Sequence, residues 1–249
     1  MIKDYFRPKT IHEAVELLQK NELAIPIGGG TSIKNYSGDI VLVDLQDLAL
    51  DIIRNVEKNI IIGSMTTLEQ IKNNFIGNDN LKKVLKIEGS KNQRTQSSLG
   101  GFLKLAGGRS PLLTSLLTLN CTLYFAEQEK GMSLSEFLDI RKTNKQLITH
   151  ISIMDPAGMV FESVSRSPLD LPIICCAVNY FDKEMKAAVG GFGEKPQIVP
   201  EKYFVEQKEC ELSEFLQFST DEWASANYRA NITQIVLKRL IALTEKGEK

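Results

Sequence analysis

Apolar positions along the first seventy residues recur with two spacings that take turns. After Thr10-Ile11-His12-Glu13, Ile11, Ala14, Val15, Leu17 and Leu18 fall at helical spacing. The Thr-x-x-Glu start predicts a capping box, in which the hydroxyl takes an amide three residues on and the carboxylate reaches back. Ala24-Ile25-Pro26-Ile27, Val41-Leu42-Val43-Asp44-Leu45 and Asn59-Ile60-Ile61-Ile62-Gly63 are short apolar runs that predict strands. A second capping box is expected at Thr66-Thr67-Leu68-Glu69. Alternating strand and helix predicts an α/β fold.

Residues 89–108 are richer in small and polar positions and lead into Leu112, Leu113, Leu116, Leu117 and Leu119, a helical leucine stripe read as core. Residues 121–125 and 148–153 predict strands, and 133–138 a short capped helix. Asp155-Pro156-Ala157-Gly158 is a turn signal and a candidate domain boundary. Beyond it, apolar runs at 173–181 and 185–189 flank Asp182-Lys183-Glu184 like a hairpin. Residues 225–245 carry apolar side chains near helical spacing and predict an amphipathic terminal helix.

Composition narrows the function. The chain has 249 residues, 43% hydrophobic and 24% charged, enough for one large domain or two ordinary ones. A formal net charge of -1 argues against nucleic acid and anionic membrane as partners. No apolar run is long enough to span a bilayer and the start does not read as a signal peptide, so the expected location is the cytoplasm. Cys121, Cys175, Cys176 and Cys210 lack the paired spacing of a zinc or iron–sulfur site and read as buried thiols. With only His12 and His150, a histidine-centred catalytic or metal site is not expected.

Two glycine-containing stretches carry the candidate chemistry: Gly28-Gly29-Gly30-Thr31-Ser32-Ile33 and Ser97-Ser98-Leu99-Gly100-Gly101. Glycine lets backbone amides approach a ligand, successive amides can form a concave anion site, and hydroxyls add donors. Each stretch on its own also reads as a tight turn. Neither fits a P-loop, and the first lacks the third glycine of G-x-G-x-x-G.

These residues resemble the FAD-binding subunits of molybdenum hydroxylases, the xanthine dehydrogenase and carbon monoxide dehydrogenase group. Tyr5-Phe6-Arg7-Pro8 is similar to the opening of those subunits, and Ile27-Gly28-Gly29-Gly30-Thr31-Ser32-Ile33 to their A-G-G-T-[DS]-L pattern. Arg94-Thr95-Gln96-Ser97-Ser98-Leu99-Gly100-Gly101-Phe102-Leu103 resembles R-x-x-A-T-I-G-G-N-L. The run opening Ser110-Pro111-Leu112 resembles S-D-L-x-P-A-L-L-A-L, and motifs at 165–170, 189–192 and 224–229 follow in the family's order.

The resemblance implies an α/β flavin domain over 1–155, with subdomains of about 1–55 and 56–155, and a smaller α+β C-terminal domain over 156–249. It implies that the amides of 28–32 and 98–101 cradle the FAD pyrophosphate. Thr31, Ser32 and Ser98 would add hydroxyls, Ile33 and Leu99 would pack against the cofactor, and Ile27 and Ser110 would lie at the site. It further implies an electron-transfer subunit of an oxidoreductase. Its partners would be an iron–sulfur subunit and a molybdenum–pterin subunit, leaving neither metal centre on this chain. Phe102 and Pro111 replace a family asparagine and aspartate. Two lost hydrogen bonds of roughly 0.5–1.5 kcal/mol each imply weakened FAD affinity. They also motivate an alternative, a flavin-free structural or assembly subunit that keeps the fold. A stand-alone FAD oxidoreductase is a third reading, opposed by the likeness of Tyr228-Arg229 to the molybdenum hydroxylase branch alone.

Overall fold

Those periodicities set most elements of the computed structural model, which describes residues 1–31, 33, 37–74, 79–168, 170–182, 184–205 and 212–246. In chain order the first elements are β1 (Ile2–Phe6), α1 (Ile11–Lys20), β2 (Ala24–Ile27), β3 (Ile40–Asp44), β4 (Ile53–Val56) and β5 (Asn59–Gly63). There follow α2 (Leu68–Asn74), α3 (Asp79–Ile87), α4 (Lys91–Gln96), α5 (Leu99–Leu105) and α6 (Pro111–Thr118). Next come β6 (Thr122–Phe125), β7 (Met132–Ser133), α7 (Leu134–Ile140), β8 (Ile148–Met154), β9 (Met159–Val164) and β10 (Ile174–Phe181). The last are β11 (Glu184–Gly190), β12 (Gln197–Val199), α8 (Glu201–Val205) and α9 (Ala226–Lys246). The architecture is mixed α/β with three sheets.

The described chain packs as two units that interleave in sequence. The first holds two sheets. One has the order β1-β3-β2, with parallel pairing such as Tyr5↔Leu42 and Ile25↔Leu42. Its central β3 is buried along its whole length, as a run of Ile40-Val41-Leu42-Val43 should be between two neighbours. Ala14 and Val15 of α1 join Val43, Leu45, Leu48 and Leu50 in one core. The Thr10 cap forms, its side chain accepting the Glu13 amide, but the Glu13 carboxylate takes the Lys9 amide rather than that of Thr10. The other sheet has the order β4-β5-β8-β6-β7. In β6 and β8, Leu123, Phe125, Ile151 and Ile153 are buried and alternate with half-buried polar or aromatic positions.

The second unit is built on the antiparallel sheet β12-β11-β10-β9 with α3, α6, α8 and α9. In β10, Cys175 and Asn179 face α6, bonding Thr114 and the Thr118 carbonyl, while Cys176 and Val178 join Val236, Leu237 and Leu240 of α9 in the core. Burial on both faces accounts for the unbroken apolar run Ile173-Ile174-Cys175-Cys176-Ala177-Val178. Arg229 is fully buried. It donates to the carbonyls of Ile173, Ser219 and Ala224 and pairs with Asp221 at 2.7 Å. The one tryptophan, Trp223, is sandwiched by the guanidinium groups of Arg109 (4.4 Å) and Arg166 (3.6 Å).

Two local expectations change. The cap expected at Thr66 with Glu69 lies one residue later: Gln70 and Thr67 exchange amide and side-chain bonds, which leaves Glu69 for ion pairs. Residues 89–108 hold two helices, α4 and α5, and Gly100-Gly101 sit in the first turn of α5. Cys121, Cys175 and Cys176 are buried free thiols, whereas Cys210 lies outside the described residues. Among the described residues no helix is long and apolar enough to cross a membrane.

Candidate functional site

The first glycine stretch begins where β2 ends. Chain direction there is set by the parallel ladder to β3, closed by the Leu45 amide donating to the Ile27 carbonyl. Gly30 has φ of +69°, a conformation side chains rarely adopt, and Ile27 and Ile33 lie on either side of it. A Cβ at Gly29 would fall 1.4 Å from the Gln96 carbonyl oxygen. The two stretches singled out in the sequence therefore touch, backbone against backbone. At Gly28 a Cβ would meet the Ser98 hydroxyl at 2.5 Å.

The second stretch is held from several sides. Ser90 and Gln93 form a capping box that starts α4. Arg94 is buried and its Nε donates to Glu69 on α2 at 2.7 Å. The Lys72 ammonium and then the Arg94 guanidinium hold the Glu69 carboxyl below the usual carboxylate range. An isolated antiparallel bridge joins Thr67 and Ser98, with Leu68 and Leu99 amides donating to Ser97 and Thr66 carbonyls. The Gly100 amide donates to Ser64, whose own amide donates to Thr149 on β8. At the far end of α5, the Lys104 ammonium donates to the carbonyls of Arg141 and Asn144 in the turn that closes α7.

What these bonds leave over is specific. Among the described residues, the amides of Gly28, Gly29, Gly30, Thr31 and Gly101 and the Ser98 hydroxyl have no hydrogen-bond partner. The Ser64 hydroxyl is buried without one. Unmet donors around two abutting loops, with no carboxylate among the loop residues, suit an anionic group such as a pyrophosphate. Gly28, Gly30, Ile27 and Ile33 are half-buried, and Gly29, Thr31 and Gly101 are exposed, so a ligand can reach them. Ser32 lies outside the described residues.

Three further expected residues are engaged within the protein. The amides of Leu99 and Gly100 are engaged by protein carbonyls and are not open to a ligand. The Leu99 side chain, 1% exposed, belongs to the core and has no surface to offer a cofactor. Ser110 lies in the second unit and is buried there. Its hydroxyl caps α6 by accepting the Leu113 amide at 3.0 Å and donates to Glu88 at 2.9 Å. Pro111 occupies the first turn of α6, where a missing amide leaves no acceptor unmet. Glu88 also accepts the Leu112 amide at 2.8 Å, and burial pushes its carboxyl up to about 8.

Sequence reasoning passed over Ser64 and the Glu69–Arg94 pair. The run Gly63-Ser64-Met65-Thr66-Thr67 directly after β5 is a third small, polar strand-end segment, and that was the available signal. The histidines are not at the loops. His12 is exposed beside Glu127, and His150 stacks on Tyr124 with ring centroids 4.5 Å apart, burial lowering its pKa. Among the described residues no group of three or more His, Cys, Asp or Glu is placed to hold a metal ion.

Residues 1–155 match the family model described as the FAD binding domain in molybdopterin dehydrogenase. The chain is 28% identical over 201 residues to the protein YgfM of Escherichia coli, covering 78% of this chain and 76% of that one. It is 29% identical over 196 residues to the nicotinate dehydrogenase FAD-subunit of Eubacterium barkeri, covering 69% and 66%. Its fold matches a crystal structure of quinoline 2-oxidoreductase from Pseudomonas putida 86, with a TM-score of 0.83, 20% identity and coverage of 98% and 97%.

Proposed function

The chain belongs to the family of FAD-binding domains of molybdopterin dehydrogenases, and on that premise we propose that it is the flavoprotein subunit of a xanthine dehydrogenase-like molybdenum hydroxylase complex. In this reading it passes electrons from an iron–sulfur subunit to an external acceptor. The observation that carries it is the pair of abutting loops whose unpartnered donors match an FAD pyrophosphate. FAD, when bound, supplies the redox chemistry. The amides of Gly28 to Thr31 and of Gly101, with the Thr31 and Ser98 hydroxyls, bind and orient the phosphates. Ile27 and Ile33 pack beside them, and Gly100 holds the second loop through Ser64.

The sequence division of the family applies here: 1–155 as the FAD-binding domain, with subdomains of about 1–55 and 56–155, and 156–249 as the C-terminal domain. The molybdenum–pterin and iron–sulfur centres lie on separate subunits, and the complex works in the cytoplasm. The description of a relative as an FAD-subunit supports the division of labour. The flavin-free alternative rests on Phe102 and on Pro111, which starts α6.

The test is titration of the purified chain with FAD, followed by quenching of flavin fluorescence, together with purification from its native host. Saturable one-to-one binding and recovery with an iron–sulfur protein and a large molybdenum protein are expected. A folded chain that takes up no FAD overturns the reading.

A further inference from the structure

Two cations flank the second loop on either side, Arg94 buried and Lys104 half-buried, and neither is a loop residue. Arg94 ties α4 to α2 through Glu69, two residues before the Gln96 carbonyl that the first loop abuts. Lys104 lies in the last turn of α5. Its half-buried ammonium donates to the carbonyls of Arg141 and Asn144. Those carbonyls belong to a turn that is itself well braced: the Thr143 and Asn144 amides donate to Ile140, and Gln146 donates to the Asn144 side chain. Burial, then the nearby Arg141 charge, lower the Lys104 pKa, so a group that is uncomfortable as a cation is nevertheless kept between two backbone acceptors.

Between these anchors the chain has few ways to move. The Leu99 and Gly100 amides are fixed to Thr66 and Ser64, and Gly101 is the next residue, with its amide unpartnered. A helix of this length, carrying two glycines, does not hold its own shape. Its geometry has to come from its surroundings.

We propose that Lys104 and Arg94 are positioning residues, a two-sided clamp that sets the Ser98 hydroxyl and the Gly101 amide in the geometry a bound pyrophosphate requires, without touching the ligand. The clamp rests on the FAD reading for its ligand but not for its mechanics. Lys104→Met keeps the apolar stem and removes the donors, whereas Lys104→Arg restores donors.

The experiment measures three quantities on the full chain: amide hydrogen exchange over residues 98–105, the urea midpoint, and affinity for FAD and for ADP, which carries the diphosphate and adenosine without the flavin. For Lys104→Met the clamp requires exchange at 101–105 roughly tenfold faster and FAD and ADP affinity about tenfold weaker, the scale of losing a charge-assisted bond. The urea midpoint and exchange over β10 should hardly move, and Lys104→Arg should restore the lost affinity. If Lys104→Met does not fold, Glu69→Gln loosens the other jaw and is read the same way. Unchanged exchange overturns the clamp, as does faster exchange across the whole chain with a lowered midpoint, which would make Lys104 merely structural. If the wild type binds neither FAD nor ADP, the FAD reading falls, and exchange at 101–105 still decides for or against the clamp.

Discussion

The loop pair in the first unit and the α6 cap in the second were both marked by family-like motifs, yet their polar groups meet opposite fates. Among the described residues, the amides of Gly28 to Thr31 and Gly101 and a serine hydroxyl have no partner. Around Ser110, the hydroxyl, the Glu88 carboxyl and the Leu112 and Leu113 amides close on one another. Two half-buried acids follow the same contrast. Glu69 is held ionised by Lys72 and Arg94, while Glu88, which accepts from Ser110 and the Leu112 amide, is driven toward its neutral form by burial. On the proposed reading, a motif position marks a ligand site where the fold leaves its donors unmet. Where they are satisfied internally, the same residue types brace a helix.

Substitutions at the two regions should separate along this line. The largest effect is expected from Gly29→Ala, whose methyl group would have to occupy the Gln96 carbonyl. Overpacking against backbone costs about 3 kcal/mol or more, and FAD uptake should vanish with the loop contact, as urea unfolding and flavin fluorescence will report.

Next is Glu88→Gln. Burial pushes the Glu88 carboxyl up to about 8 in the folded chain, while the unfolded chain releases its proton near the ordinary carboxylate value of 4.5. Wild-type stability therefore falls as pH rises between those values and levels off above them. At about 1.4 kcal/mol per unit of difference, the glutamine variant should be the more stable by several kcal/mol at pH 9 and by almost nothing at pH 4. Parallel urea curves over that range would refute the buried neutral acid.

Ser110→Ala should lower stability by about 1 kcal/mol through its lost cap and leave FAD affinity unchanged. Ser98→Ala should do the reverse: near-native melting, with FAD affinity reduced about two- to tenfold for one lost hydrogen bond. If the two serines exchange these behaviours, the contrast between regions is wrong. The smallest effect belongs to Gly101→Ala, where a Cβ meets only the Ser98 hydroxyl, at 3.2 Å. Stability should change by less than about 1 kcal/mol, measured by thermal melting.

Much of the fold could be read from local pattern because helical and alternating spacings are local properties. That holds for α1, β2, β5, α7 and the β10–β11 hairpin. β1 gave no such signal, since all five of its residues are exposed. α5 was hidden because Gly100-Gly101 argue against a helix by propensity, and the helix forms on tertiary support from Ser64, Thr66 and Lys104. The two loops were visible as glycine and hydroxyl runs. That they touch was not, because Gly29 and Gln96 meet only through the folded sheets. For the same reason the sequence did not reveal that Leu99 faces the core or that Ser110 is fully occupied.

The contact between Gly29 and Gln96 also has a consequence for the order of events during synthesis. The first loop leaves the ribosome well before its counterpart exists, and Ser64, which fixes Gly100, is in turn tied to Thr149 on β8. A nascent chain shorter than about 150 residues has no complete cradle, whatever local structure it has gained, because contacts this distant in sequence close late. On the proposed reading of the two loops as the FAD site, cofactor loading is then a late step of maturation, and a chain released early would be unable to retain a flavin.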